Sequence, residues 1–156
     1  MIDLDVARLV SEADITNLII EYCNSIDAGD FARTGRLFEK GTWFYDPASP
    51  ITGAAAATKF LEGLVLLYDG VPKTRHVLSN FQIKLSEDFA SATAVSYVVV
   101  FQAAPESVPQ IIFQGAYDDT FVCEHGIWRF DVRRFTCDGI GDLSRHLKRI
   151  ASPLVR

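Results

Sequence analysis

Four long runs rich in β-branched and aromatic residues, at 73–85, 89–104, 110–123 and 127–137, occupy the second half of this chain. Turn chemistry separates them at Ser86-Glu87-Asp88, around Pro105 to Pro109, and at Glu124-His125-Gly126, so they read as a meander of antiparallel strands. The first half has a different period. Ser11 stands as an N-cap with Asp14 three residues on, and Ile15, Leu18, Ile19, Tyr22 and Ile26 recur at helical spacing. That helix stops near Asp27-Ala28-Gly29, and Asp30 caps a second, shorter one carrying Phe31, Leu37 and Phe38. Gly41 to Asp46 reads as a strand closed by Pro47 and Pro50, and Gly53 to Tyr68 as a third helix stopped by Asp69-Gly70 and Pro72. Helices first and a long meander second is the α+β pattern. The sheet must bend strongly around three helices, giving a cone-shaped α+β barrel with a concave cavity.

At 156 residues, 49% of them hydrophobic, the chain suits a single domain over 1–156, with a core at 11–137 and a tail at 139–156 expected to form a partial surface helix. A net charge of −5 disfavours nucleic acid and anionic membrane as partners. The basic cluster Arg145-His146-Leu147-Lys148-Arg149 reads as the solvated face of that tail helix. Three cysteines without a CxxC pair argue against a disulfide framework and for a reducing, cytoplasmic setting. No apolar stretch is long enough to cross a bilayer, and the acidic start does not suit a signal peptide. His76, His125 and His146 are too dispersed for a metal site, and no phosphate-binding glycine loop or GxSxG nucleophile turn is present, so no metal and no cofactor are expected.

The candidate chemistry lies in Asp27, closing the first helix, and His76, opening a strand in Lys73-Thr74-Arg75-His76-Val77-Leu78-Ser79-Asn80. A carboxylate holding an imidazole makes a general base that removes a proton from carbon or activates water. Alternation places His76 with Leu78, Asn80, Gln82 and Lys84, opposite Val77, Phe81, Ile83 and Leu85, which is the parity of a rim or surface histidine. Asp27 has little structural employment, because Asp30 already caps the next helix. Tyr22 shares the apolar helix stripe, Trp43 and Tyr45 share one side of the first strand, and Tyr97, Phe101 and Gln114 are candidates to line a cavity. Asn80 is a candidate to orient His76 or a substrate carbonyl, or else a simple edge-strand amide. Arg133 and Arg134 fall on opposite faces, so at most one points inward.

The segment Tyr22 to Asp27 with Gly29-Asp30-Phe31, Leu37-Phe38, Gly53, His76 with Asn80, and Gly115 to Phe121 leading to Gly126-Ile127-Trp128-Arg129-Phe130 together resemble the SnoaL-like, polyketide-cyclase branch of the nuclear transport factor 2-like superfamily. The resemblance runs over 11–135. It implies an aspartate–histidine dyad like that of scytalone dehydratase, bile-acid dehydratase and hexachlorocyclohexane dehydrochlorinase, carried here by Asp27 and His76. It also implies that an aromatic hydroxyl near Tyr45 polarises the substrate. Where the dehydratases place another titratable group on the next strand, this chain has Val99, Val100 and Phe101. The expectation is a cofactor-free lyase or isomerase, dehydratase-like, acting on a cyclic apolar polyketide, steroid or terpenoid. The alternative is a non-catalytic small-molecule-binding or assembly module of the same fold. A homodimer or homotrimer is expected, because outward-facing Val95, Tyr97 and Val99 would want a partner subunit.

Overall fold

A computed structural model describes residues 4–148. The elements run α1 (Leu4–Asp27), α2 (Phe31–Arg36), β1 (Thr42–Asp46), β2 (Ser49–Thr52), α3 (Ala54–Leu64), β3 (Thr74–Leu85), β4 (Ser91–Gln102), β5 (Gln110–Glu124) and β6 (Ile127–Ile140). One six-stranded sheet has the order β2-β1-β6-β5-β4-β3. Every neighbouring pair is antiparallel except β1 with β6. The expected α+β class with a strongly curved, mostly antiparallel sheet holds, and the sheet curves without closing, with β2 and β3 as its edges. Pro50 is tolerated in β2 because that strand is an edge and its missing N–H has nothing to pair with.

Helix α1 begins seven residues before Ser11. Ser11 is buried on the stripe with Ile15, Ile19, Tyr22 and Ile26 and does not cap anything, because Leu4 to Val10 continue the helix without a breaker. The C-terminus of α1 is sharply defined. Asp30 N–H donates to Ser25 O at 3.0 Å and Gly29 N–H to Ile26 O at 2.9 Å, with Gly29 at φ 73°, a Schellman motif. Gly29 is needed twice over, since a Cβ there would stand 2.2 Å from Gly70 O. This stop fixes Asp27 as the last helical residue. Asp30 then caps α2 by accepting from Arg33 N–H at 3.0 Å.

The core lies between α1 and the concave face of the sheet. Phe38 stacks on Trp43 and on Phe130 at 5.8 and 5.3 Å between ring centroids, and Tyr22 meets Phe38, Trp43 and Tyr117 edge-on. Helix α3 ends at Leu64 rather than Tyr68, because Val65 turns extended and pairs with Leu147. The tail also departs from expectation. Strand β6 runs on to Ile140, and 141–148 is a turn packed through buried Leu143, His146 and Leu147 rather than a solvated helix. The rest of the expected tail helix, 149–156, lies outside the described residues.

Two glycines at positive φ allow a direct test of the α1 stop. Gly70, at φ 84°, has open space where a Cβ would go. Gly70→Ala is expected to cost only the left-handed backbone penalty, about 1–2 kcal/mol, and Gly29→Ala distinctly more, because it adds a collision with main chain. Urea unfolding of both variants measures the difference.

Candidate active site

Strand β3 starts beside the end of α1, and three of its donors converge on one carboxylate. Thr74 Oγ1 donates to Asp27 Oδ1 at 2.7 Å, and the His76 backbone N–H donates to Oδ2 at 2.9 Å. The His76 ring nitrogen Nδ1 lies 2.7 Å from Asp27 Oδ1, with side-chain exposures of 8% and 5% for the histidine and the aspartate. Burial alone would raise the Asp27 carboxyl. The ring, backbone and hydroxyl donors outweigh it, and Asp27 is held below the usual carboxylate range. An ionised Asp27 only accepts, so Nδ1 carries the proton and Nε2, on the opposite edge of the ring, keeps its lone pair.

His76 lines a narrow cavity with a free volume of about 50 Å³. The walls come from Tyr22 and Ile26 of α1, Trp43 and Tyr45 of β1, Leu61 and Leu64 of α3, Val100 of β4, and Phe113, Tyr117 and Phe135 of the central strands. Asp27 stands behind His76, not on the cavity wall. The imidazole therefore sits between its carboxylate and an apolar chamber. Burial raises the phenols of Tyr22 and Tyr117, which keeps both protonated.

The parity of β3, which sequence alternation set against His76, is resolved by a bulge. Ser79 pairs with Tyr97 and Gln82 with Val95, so β3 carries one extra residue there, and Asn80 sits at φ 55°. Phe81, Ile83 and Leu85 face inward after the bulge; before it, Thr74, His76 and Leu78 do. Asn80 itself is exposed and does not line the cavity. Its position corrects the expectation that it orients a substrate, and it is the residue type that best tolerates the left-handed turn of the bulge.

Of the remaining candidates, Tyr22, Trp43 and Tyr45 line the cavity. Tyr97, Phe101 and Gln114 do not: they are exposed on the convex face, where register aligns Tyr97 with Ala116, Phe101 with Ile111, and Val99 with Gln114. Sequence alternation in two-sided strands does not reveal which face is concave, and these three fall on the other one. Val100, opposite His76 in register, faces in.

Arg133 is the inward one of the two arginines. It donates to Asp119 through Nε at 2.8 Å and Nη2 at 2.7 Å, both side chains being fully buried. Its guanidinium lies 4.2 and 4.0 Å from the ring centroids of Tyr22 and Tyr117. Burial opposes its charge, but the Asp119 carboxylate more than compensates and holds Arg133 protonated. Arg134 lies outside, over Phe44.

Among the cavity residues that the sequence did not point to is a second histidine. His146, expected on a solvated helix, is 7% exposed and lines the same chamber as His76. Its ring meets Phe113 edge-on at 5.8 Å. The signal was the spacing of Leu143, His146 and Leu147, an apolar stripe hidden among Arg145 and Lys148. Burial and the neighbouring His76 lower its imidazole to about 4, against a smaller opposing pull from Asp27.

With this geometry in place, comparison with known proteins identifies the family. The sequence profile of the SnoaL-like domain matches residues 7–134. The chain belongs to the SnoaL-like family. A curated relative, the uncharacterised protein Rv2910c of Mycobacterium tuberculosis, is 28% identical over 133 residues, covering 84% of this chain and 87% of that protein. Among solved structures, a putative scytalone dehydratase from Novosphingobium aromaticivorans superposes with a TM-score of 0.73 at 25% identity, covering 96% of this chain and 99% of that one. Hexachlorocyclohexane dehydrochlorinase LinA-type3 from Novosphingobium barchaimii gives a TM-score of 0.72 at 14% identity, over 90% of this chain and 94% of that one, a likeness of fold. Among the described residues no group of three or more histidine, cysteine or acidic side chains is placed to hold a metal, and no helix is long and apolar enough to cross a membrane.

Two outcomes follow from this arrangement. Asn80→Gly is expected to leave stability nearly unchanged, whereas Asn80→Val costs about 1–2 kcal/mol through the left-handed backbone; chemical denaturation of the pair checks it. The second concerns acid. A histidine takes a proton near 6.5 when unfolded, but His146 takes it only at about 4 in the fold, where it faces His76 and Asp27. Between those values the unfolded chain binds the extra proton, so stability is present above 6.5 and falls as pH drops toward 4, by about 3 kcal/mol in all. His146→Gln should flatten that window in a pH series of unfolding free energies, and an unchanged profile would contradict the assigned environment.

Proposed function

We propose that this protein is a cofactor-free lyase or isomerase of the dehydratase type, in which His76, held by Asp27, is the general base. One observation carries the reading: a buried imidazole has one nitrogen 2.7 Å from a carboxylate and its other edge turned to an apolar chamber. The substrate that suits such walls is a small cyclic ketone with a hydroxyl β to the carbonyl, of the kind found in polyketide, steroid or terpenoid rings. Nε2 takes the proton from the carbon between the two groups. The electrons of that C–H bond pass to the carbonyl oxygen, and Asp27 stabilises the imidazolium that forms. As the enolate collapses to a conjugated ketone, the C–O bond breaks and the imidazolium returns its proton to the departing hydroxyl, which leaves as water. Ring closure or isomerisation would start from the same proton abstraction.

The likeness to a putative scytalone dehydratase over nearly the whole of both chains supports this chemistry. The free volume of about 50 Å³ holds a few waters, so a ring enters only if cavity side chains yield. That narrowness favours small bicyclic substrates over large ones. Self-association belongs to the same proposal: Val77, Val95, Tyr97, Phe101 and Ile111 leave an exposed apolar convex face on β3 to β5, suited to a second or third copy of the chain.

The test uses 3-hydroxy-1-tetralone, whose dehydration and tautomerisation give fluorescent 1-naphthol. Turnover by the wild type is expected to fall about 10²- to 10⁴-fold in His76→Ala, the range for loss of a general base. Asp27→Asn should fall at least tenfold and shift the pH profile. Turnover indifferent to both changes would remove the base assignment and leave a non-catalytic small-molecule-binding module as the better reading.

A further inference from the structure

We propose that His146 is a second catalytic residue, whose Nε2–H donates a hydrogen bond to the substrate oxygen on which negative charge gathers as His76 removes the proton. This deepens the base reading of His76 and rests on it. The register partner of His76 is Val100, which offers no donor, and the polar groups that the strands bring to the chamber are the hydroxyls of Tyr45 and Tyr117 and the indole of Trp43. His146 reaches the same chamber from a different direction, on the segment that follows β6.

Its backbone is firmly tied. Leu66 N–H donates to His146 O at 2.8 Å, His146 N–H to Leu143 O at 2.9 Å, and Lys148 N–H to Leu64 O at 2.8 Å, while Leu147 bridges to Val65. Phe113 packs against the ring edge-on, leaving it little freedom to turn. Among the described residues nothing bonds either ring nitrogen, and Nδ1 is the one sealed away with no partner. A neutral imidazole carries one N–H. Placed on Nδ1, that hydrogen would be a buried orphan donor, which is the more costly choice. The proton therefore belongs on Nε2.

The charge state suits the role. The cavity walls contain no carboxylate: α1 contributes Tyr22, β1 Tyr45, β3 His76 and β5 Tyr117, and Asp27 is spent on the far side of His76. His146 is thus kept neutral by its apolar seat and by the other imidazole, whereas His76 has a counter-ion for the charge it gains. Two groups of one type, one paired to a carboxylate and the other not, take different roles in one reaction. A fixed neutral donor aimed at a developing enolate is the oxyanion-stabilising element that the base requires. Trp43, on the same wall, has an indole N–H that is buried without a hydrogen bond, a second sign that the chamber is built for an oxygen-bearing guest.

The probe is 1-naphthol, whose hydroxyl stands where the enolate oxygen would be. In ¹⁵N-histidine spectra of the wild type between pH 6 and 8, His146 should show a neutral Nε2–H ring, and its Nε2–H signal should shift when 1-naphthol is added. His146→Leu should weaken 1-naphthol binding at least tenfold, and His146→Gln, which keeps an N–H donor, should bind within about threefold of the wild type. In turnover of 3-hydroxy-1-tetralone, His146→Leu should lower kcat about 10²- to 10³-fold with little change in KM. A protonated or Nδ1–H ring at pH 7, no binding of 1-naphthol by the wild type, or equal binding by His146→Leu would each overturn the assignment. His76→Ala, run beside these variants, separates the two readings. Loss of turnover there with His146→Leu fully active removes only the role of His146, whereas full activity of His76→Ala removes the base on which it depends.

Discussion

The carboxylate of Asp27 joins the end of α1 to the start of β3, and the site is organised around that junction. It accepts from a hydroxyl, a backbone N–H and an imidazole, all supplied by Thr74 and His76, two positions of one strand parity. Each donor is partly or wholly buried, so each needs that acceptor, and the carboxylate needs them to remain ionised out of water. The junction depends on two local devices placed on either side. Gly29 stops α1 at Asp27, and the bulge at Asn80 lets the first residues of β3 face inward while its later residues do the same with opposite parity. Without the bulge, packing Phe81, Ile83 and Leu85 against the helix would have turned His76 outward.

Beneath the cavity a second ionic contact serves a different purpose. Arg133 and Asp119 are fully buried and paired through two hydrogen bonds, with the guanidinium between the faces of Tyr22 and Tyr117. A hydrophobic pair of similar volume would fill that space at no greater cost. What the ion pair adds is direction: a planar fork fixed by its carboxylate holds two aromatic walls of the cavity at set positions. The pair fixes the chamber's aromatic walls, while Asp27 fixes the imidazole that lines it.

The α+β order and the positions of the long strands were legible because their period is strong: β-branched runs of twelve or more residues leave little room for another reading. Asp27 and His76 were legible through the resemblance of their segments to a known family, and alternation alone argued against His76. What escaped was whatever depended on curvature or on a single backbone angle. The strand faces carrying Tyr97, Phe101 and Gln114 are as polar and apolar by turns as the inner ones, so only the bend of the sheet says which side is concave. Asn80 gave no sign that it would sit at positive φ. Ser11 had the chemistry of an N-cap, but with no breaker before it the helix simply continued.

His146 shows the same limit from the other side, and it changes how the cavity is understood. Charge density around it suggested solvent, yet Leu143 and Leu147 anchor the segment and carry the histidine in with them. Burial of an imidazole with no acid beside it is unfavourable when charged and modest when neutral, so the fold has in effect chosen a protonation state for it. His76 differs in its surroundings, since the Asp27 carboxylate lies 2.7 Å from its Nδ1. A cavity lined by one imidazole backed by a carboxylate and another with no acid on its walls is asymmetric before any ligand arrives. That asymmetry requires α1, β3 and the segment after β6 to meet around one chamber, so the segment after β6 is a wall of the cavity rather than an appendage to the sheet.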